Sequence, residues 1–148
     1  MEDYIVFTVG TNYYALNVEN VERIIQIPAI TAIPNAHPFV DGMMSYEKRI
    51  TKVVNFRKMT AMDPHEEDQT DEISGKSQKL LIYQTKESFF AIKVDKIDDM
   101  ARIEPSMIKS VDSANTIGAF LELSGVVEMG ERLVNVINSV SMPAKEVA

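Results

Sequence analysis

The 148-residue chain has no cysteine. That excludes a disulfide framework, a thiolate metal site and a cysteine nucleophile, and it points to a reducing compartment. No apolar run approaches the ~18 residues that span a bilayer. The opening Met-Glu-Asp-Tyr lacks the basic and apolar stretches of a secretory leader. A soluble, cytoplasmic protein is expected. Histidine is scarce: His37 lies between Ala36 and Pro38, and His65 in an acidic stretch, neither at a spacing that builds a triad or a metal site. The six glycines are isolated, so no phosphate-cradling loop exists. No basic face is evident, which removes the footprint of a nucleic-acid binder. An enzyme and a bound cofactor are therefore not expected.

What is present is unevenly placed. Six acids and no lysine or arginine fall in the segment DPHEEDQTDE from Asp63 to Glu72, so the rest of a chain of net charge −7 is close to neutral. An EF-hand loop starting at Asp63 would need glycine at its sixth position, where Asp68 stands, and Pro64 fits a linker better. Nine methionines suit irregular core gaps, and equally a surface that accepts a partner helix.

The acidic segment separates two stretches that resemble each other. A shift of 76 positions lays Ile5-Val6-Phe7 on Leu81-Ile82-Tyr83, Tyr13-Tyr14-Ala15-Leu16 on Phe89-Phe90-Ala91-Ile92, Val21 on Ile97 and Ile24 on Met100. A shift of 83 lays Gly42-Met43-Met44 on Gly125-Val126-Val127, Arg49 on Arg132, and Val53-Val54-Asn55 on Val136-Ile137-Asn138. Two copies of one unit follow: residues 4–62 and 79–142, joined by an acidic loop over 63–78 within one domain spanning 1–148.

Short runs rich in β-branched and aromatic residues, such as Tyr4 to Val9, Tyr13 to Asn17, Ile50 to Phe56 and Phe89 to Val94, predict strands. Apolar residues at every third position predict short helical pieces over Val18 to Ile24 and Val94 to Met100, with another turn or two over Phe56 to Met62. SYEKRITK, residues 45–52, reads as a hairpin turn with Lys48 and Arg49 in solvent. The expected fold is mainly β, with few short helices and two packed five-stranded barrels, closure being one solution to exposed sheet edges. Barrels packed on apolar faces would leave a groove between them.

Taken in order, IVFTVGTNYYALNVENVERI, ITAIPNAHPFVDGMM, VVNFR, FFAIKVDKIDDMARI and LSGVVEMGERLVNVINSV resemble the CheW family of bacterial chemotaxis over about Tyr4 to Val140. The resemblance implies two five-stranded barrels and no catalysis. It implies a non-catalytic adaptor that binds the regulatory domain of the histidine kinase CheA, mostly through the first barrel. It also implies that the cytoplasmic tip of a methyl-accepting chemoreceptor sits in the groove, with no membrane insertion. The matching groove positions are Val21, Ile97 and Met100, with Gly42 at the edge.

The chain departs from the family where Asn-Leu-Arg-Gly is usual and Ser45-Tyr46-Glu47-Lys48 stands instead. The family arginine falls on Glu47, and an acid usual upstream falls on Arg23. The resemblance thus implies an ion pair with both signs exchanged, Arg23 to Glu47. Two alternatives remain open: a divergent paralogue with altered or lost receptor binding, and a β-barrel that holds a small ligand between its halves.

Overall fold

A computed structural model describes residues 2–60, 78–110, 116–117 and 120–142. The acidic loop up to residue 77, with His65, lies outside the described residues. Strands β1 (Glu2–Val9) and β2 (Asn12–Asn17) form a hairpin turning at Gly10, whose φ is 63°. A 3-10 turn (Val18–Asn20) leads into β3 (Val21–Gln26), and the hairpin of β4 (Val40–Tyr46) and β5 (Arg49–Asn55) runs into the short helix α1 (Phe56–Thr60). The order then recurs: β6 (Lys79–Gln84), β7 (Phe89–Val94), β8 (Lys96–Ile103), the short β9 (Thr116–Ile117), and the hairpin of β10 (Leu121–Met129) and β11 (Arg132–Val140).

Two sheets result, with strand orders β8-β1-β2-β11-β10-β9 and β3-β6-β7-β5-β4. Exchanging β1 with β6, β2 with β7, β3 with β8, β4 with β10 and β5 with β11 converts the second order into the first five strands of the first. The fold is mainly β and duplicated, as expected. The sheets, however, do not coincide with the halves 4–62 and 79–142. Each sheet takes its leading hairpin from one half and its remaining strands, four in the first sheet and three in the second, from the other half. The chain changes sheet at Val18–Asn20 and at Asp95, so the copies interlock through the antiparallel pairs β1/β8 and β3/β6 and the parallel pairs β2/β11 and β5/β7. Because the leading hairpins of the two copies are alike, pairing across copies satisfies the same backbone groups as pairing within one.

Alternation along the strands feeds three cores. Tyr4, Val6, Ala15, Val134 and Val136 form a core cluster on one face of the first sheet, and Met44, Val53, Leu80, Ile82 and Ala91 form one on the second. The intervening residues Phe7, Val9, Tyr14, Leu16, Val54, Leu81, Tyr83, Phe90, Ile92 and Ile137 meet between the sheets. Burial on both faces explains the unbroken apolar runs in β1, β6 and β7.

Two expectations need correction. Residues 21–26 and 96–103 are strands, not helices. Their three-residue spacing comes from a bulge in each copy: Val21 faces Tyr83 and Arg23 faces Ile82, leaving Glu22 unpaired, while Asp99 faces Val6 and Ile97 faces Phe7, leaving Asp98 unpaired. One extra residue shifts the two-residue alternation so that it mimics a helical period. Nor do the sheets close as backbone-paired barrels: among the described residues the second sheet keeps β3 and β4 as edges. Side chains bridge that gap instead, and the bulge aims them.

Candidate functional site

The seam between β3 and the β4–β5 hairpin is built by Glu22 and Arg23. Tyr46 Oη donates to Glu22 Oε2 at 2.9 Å, and Arg23 Nη1 lies 3.3 Å from Glu47 Oε2. The expected Arg23–Glu47 pair therefore forms. Its side chains are 57% and 56% exposed, so solvent screening leaves it worth only ~0–1 kcal/mol. Burial, reinforced by the Glu22 carboxylate, raises the Tyr46 phenol above its ordinary pKa. In the first sheet, Asp98, the repeat counterpart of Glu22, accepts from Arg132 Nη1 at 3.0 Å. Both bulged acids thus tie an edge strand to the opposite hairpin.

That hairpin is a turn, as the sequence indicated. Glu47 and Lys48 have φ of 48° and 68°, the two positive values of a type I′ connection, usually filled by Asn-Gly. Arg49 is not free in solvent: its guanidinium carbon lies 3.7 Å from the Phe89 ring centre. Arg132, on which the shift of 83 lays Arg49, stacks on Tyr13 at 4.6 Å, and Tyr13 is the counterpart of Phe89. The two stacked arginines are one feature used twice.

Val21 and Ile97 pack against the same inter-sheet core, one from each bulged edge strand. Both are only partly buried there. Met100 lies further along β8 with 58% exposure, and its counterpart Ile24 is 38% exposed. Gly42 has a different task. A Cβ there would sit 2.3 Å from the Thr31 carbonyl oxygen, and its φ is 154°. The bare backbone lets Thr31 and Met43 exchange two hydrogen bonds, of 2.9 and 2.8 Å. A Cβ on Gly125 would sit at the same 2.3 Å from the Lys109 carbonyl oxygen, so the device is duplicated.

Sequence reasoning missed Ile50 and Leu133, which are 69% and 59% exposed. The shift of 83 lays one on the other, and each follows a stacked arginine, so the repeat itself held the signal. Ile33, Pro34, Asn35, Ala36, His37, Val40 and Lys52 line an open hollow of about 120 Å³. It is smaller than the ~300–1,000 Å³ of ligand sites and does not lie between the sheets. His37 Nδ1 accepts from the Phe39 N–H at 3.1 Å, and the ring packs on Phe39 and Phe120, so it serves the connector before β4. Among the described residues no group of three or more His, Asp or Glu is placed to hold a metal ion, and no helix is long and apolar enough to cross a membrane.

The chain is similar to known proteins over nearly its whole length. It is 25% identical to the chemotaxis protein CheW of Bacillus subtilis over 145 residues, covering 98% of this chain and 88% of that protein. It is 24% identical to the chemotaxis protein CheW of Thermotoga maritima over 128 residues, covering 86% and 78%. The crystal structure of the scaffolding protein TtCheW from Thermoanaerobacter tengcongensis superposes with a TM-score of 0.77 at 20% identity, covering 93% of this chain and 88% of that one. The CheW-like domain pattern matches residues 3–145. With the duplicated, strand-exchanged sheets and their bulged edges, these matches establish that the chain belongs to the CheW-like domain family.

Proposed function

We propose that the chain is a non-catalytic, cytoplasmic adaptor that couples methyl-accepting chemoreceptors to the histidine kinase CheA. The observation that carries this reading is the rim of the inter-sheet core, against which Val21 and Ile97 each pack, with Ile24 and Met100 exposed further along the same two strands. An apolar rim between rigid sheets suits the helical tip of a receptor, which would lay apolar side chains along it. For the CheA regulatory domain the supporting feature is Ile50, held out at the second sheet's hairpin tip with Arg49 locked on Phe89 beside it. An exposed aliphatic side chain beside an ordered arginine has the composition of a binding hot spot.

The test is co-purification, separately, with a CheA regulatory domain and with a receptor cytoplasmic fragment. Val21→Asp or Met100→Asp is expected to abolish receptor capture and spare the kinase domain, and Ile50→Asp the reverse. Capture of the kinase domain alone by the unaltered chain would identify a paralogue that has lost receptor binding, as the change at Ser45-Tyr46-Glu47-Lys48 allows. Capture of neither partner at tens of micromolar would refute the adaptor reading.

A further inference from the structure

Apolar contacts are non-directional, so the core between the sheets brings them together without by itself setting their angle. Among the described residues several directional bonds cross it, one of them between the Tyr14 phenol of the first sheet and Thr60 of α1. Tyr83 Oη, in the second sheet, accepts the Val140 N–H of the first at 3.2 Å. A further connection is centred on Asp95, the single residue between β7 of the second sheet and β8 of the first. Its backbone N–H donates to the Thr8 carbonyl at 3.1 Å. Its carboxylate Oδ2 accepts from the Gly10 N–H at 2.8 Å, in the β1–β2 turn, and from Arg57 Nη2 at 3.1 Å, on α1. One carboxylate on a residue only 8% exposed therefore joins the first sheet's leading hairpin to the helix that runs on from the second sheet.

The repeat makes the feature more telling. The counterpart of Asp95 in the other crossover is Glu19, which is exposed, and whose N–H is taken up locally by Asn17. Arg57 has Val140 as its counterpart and Gly10 has Lys86. The duplication supplied the bulges, the stacked arginines and the close-contact glycines twice, but this clasp once. It sits two residues before Ile97, at the start of the strand that carries half of the rim.

We propose that Asp95, gripped by Gly10 and Arg57, is a positioning residue that sets the angle between the sheets and thereby the spacing of Ile97 from Val21 across the receptor groove. Asp95 touches no partner itself and acts through Ile97. The role rests on the groove proposed above, yet its structural half can be tested alone. The absence of native cysteine allows spin labels on Gln84→Cys in the second sheet and Ser124→Cys in the first, both exposed. The labelled protein is expected to give one narrow distance distribution by pulsed electron resonance. Asp95→Ala and Arg57→Gln should each broaden or shift it while far-ultraviolet circular dichroism stays that of the parent, and Arg57→Lys should restore most of it. In the same variants, affinity for a receptor fragment should fall by about tenfold, within the usual range of coupling between sites. Affinity for the kinase regulatory domain should be unchanged. An unaltered distance distribution in folded Asp95→Ala or Arg57→Gln overturns the proposal whatever happens to binding, as does equal loss of both partners. If the parent binds no receptor, the adaptor reading fails and the distance measurement still decides the clasp. If Asp95→Ala does not fold, Arg57→Gln carries the decision.

Discussion

Replacing Gly42 by alanine isolates one physical cause. The added Cβ would lie 2.3 Å from the Thr31 oxygen, 2.8 Å from the Thr31 carbonyl carbon and 2.8 Å from Ile30 Cγ2. Two of these are backbone atoms and cannot rotate aside, so the connector must lift off β4. Lifting breaks both Thr31–Met43 hydrogen bonds, at a net loss of about 1 kcal/mol each. Holding alanine at a φ of 154° adds strain of about 1–3 kcal/mol. The expected total is about 3–5 kcal/mol, a fall in Tm on the order of 10–20 °C for a domain of this size. Gly10→Ala is the control, since its φ of 63° carries strain but nothing lies within 4 Å of its Cβ. It should lose only about 1–2 kcal/mol. Urea denaturation with an unchanged m-value measures both. Gly125→Ala should match Gly42→Ala, because its Cβ would meet the Lys109 oxygen at the same 2.3 Å. The reasoning is refuted if Gly42→Ala is no worse than Gly10→Ala, or if Gly125 tolerates alanine.

Other expectations follow from the same geometry. In a double-mutant cycle on Arg23 and Glu47, Arg23→Glu and Glu47→Arg should each destabilise slightly and the double exchange should recover most of the loss; additive losses would show the pair contributes nothing. The coupling should stay below about 1 kcal/mol and shrink in 1 M salt, given the exposure of both side chains. Burial raises the Tyr83 phenol above its ordinary 10.0, and the folded state keeps the proton. Its contribution to stability is therefore full below pH 10 and declines as pH rises above 10 toward the folded-state value, which Tyr83→Phe should make shallower in urea melts at alkaline pH. The same substitution leaves the buried Val140 N–H without its acceptor, a loss of about 1–3 kcal/mol at pH 7 by the same assay. Arg49→Ala should lose about 0.5–1 kcal/mol that Arg49→Ala in a Phe89→Ala background does not, measured by thermal melts; an equal loss in both would mean the stacking contributes nothing.

Much of the site was legible before any coordinates. The reversed Arg23–Glu47 pair is what the resemblance to the CheW family implied, and a hairpin turn within residues 45–52 follows from local pattern. What misled was the three-residue spacing around Val21 and Ile97. A bulge and a helix give the same short apolar period, and only pairing with Tyr83, Ile82, Val6 and Phe7 distinguishes them. Asp95 and Arg57 were invisible for another reason. They stand 38 positions apart, and nothing in an isolated acid or base says that a fold will bury the one beneath the other.

The sequence by itself determined that the chain is mainly β, that its unit is duplicated and that hairpin turns fall at Gly10 and within residues 45–52. Those properties depend on alternation, side-chain shape and turn chemistry, which act over a few residues. Only the tertiary structure decided that each sheet borrows its leading hairpin from the other half, that side chains rather than backbone bridge the open edges, and that one crossover is clasped while its counterpart is not. These depend on which distant segments meet, and two near-equivalent hairpins offer a strand almost the same partner within a copy as across copies. Local pattern cannot separate the two pairings. The chain's crossing between sheets at Val18–Asn20 and Asp95 does.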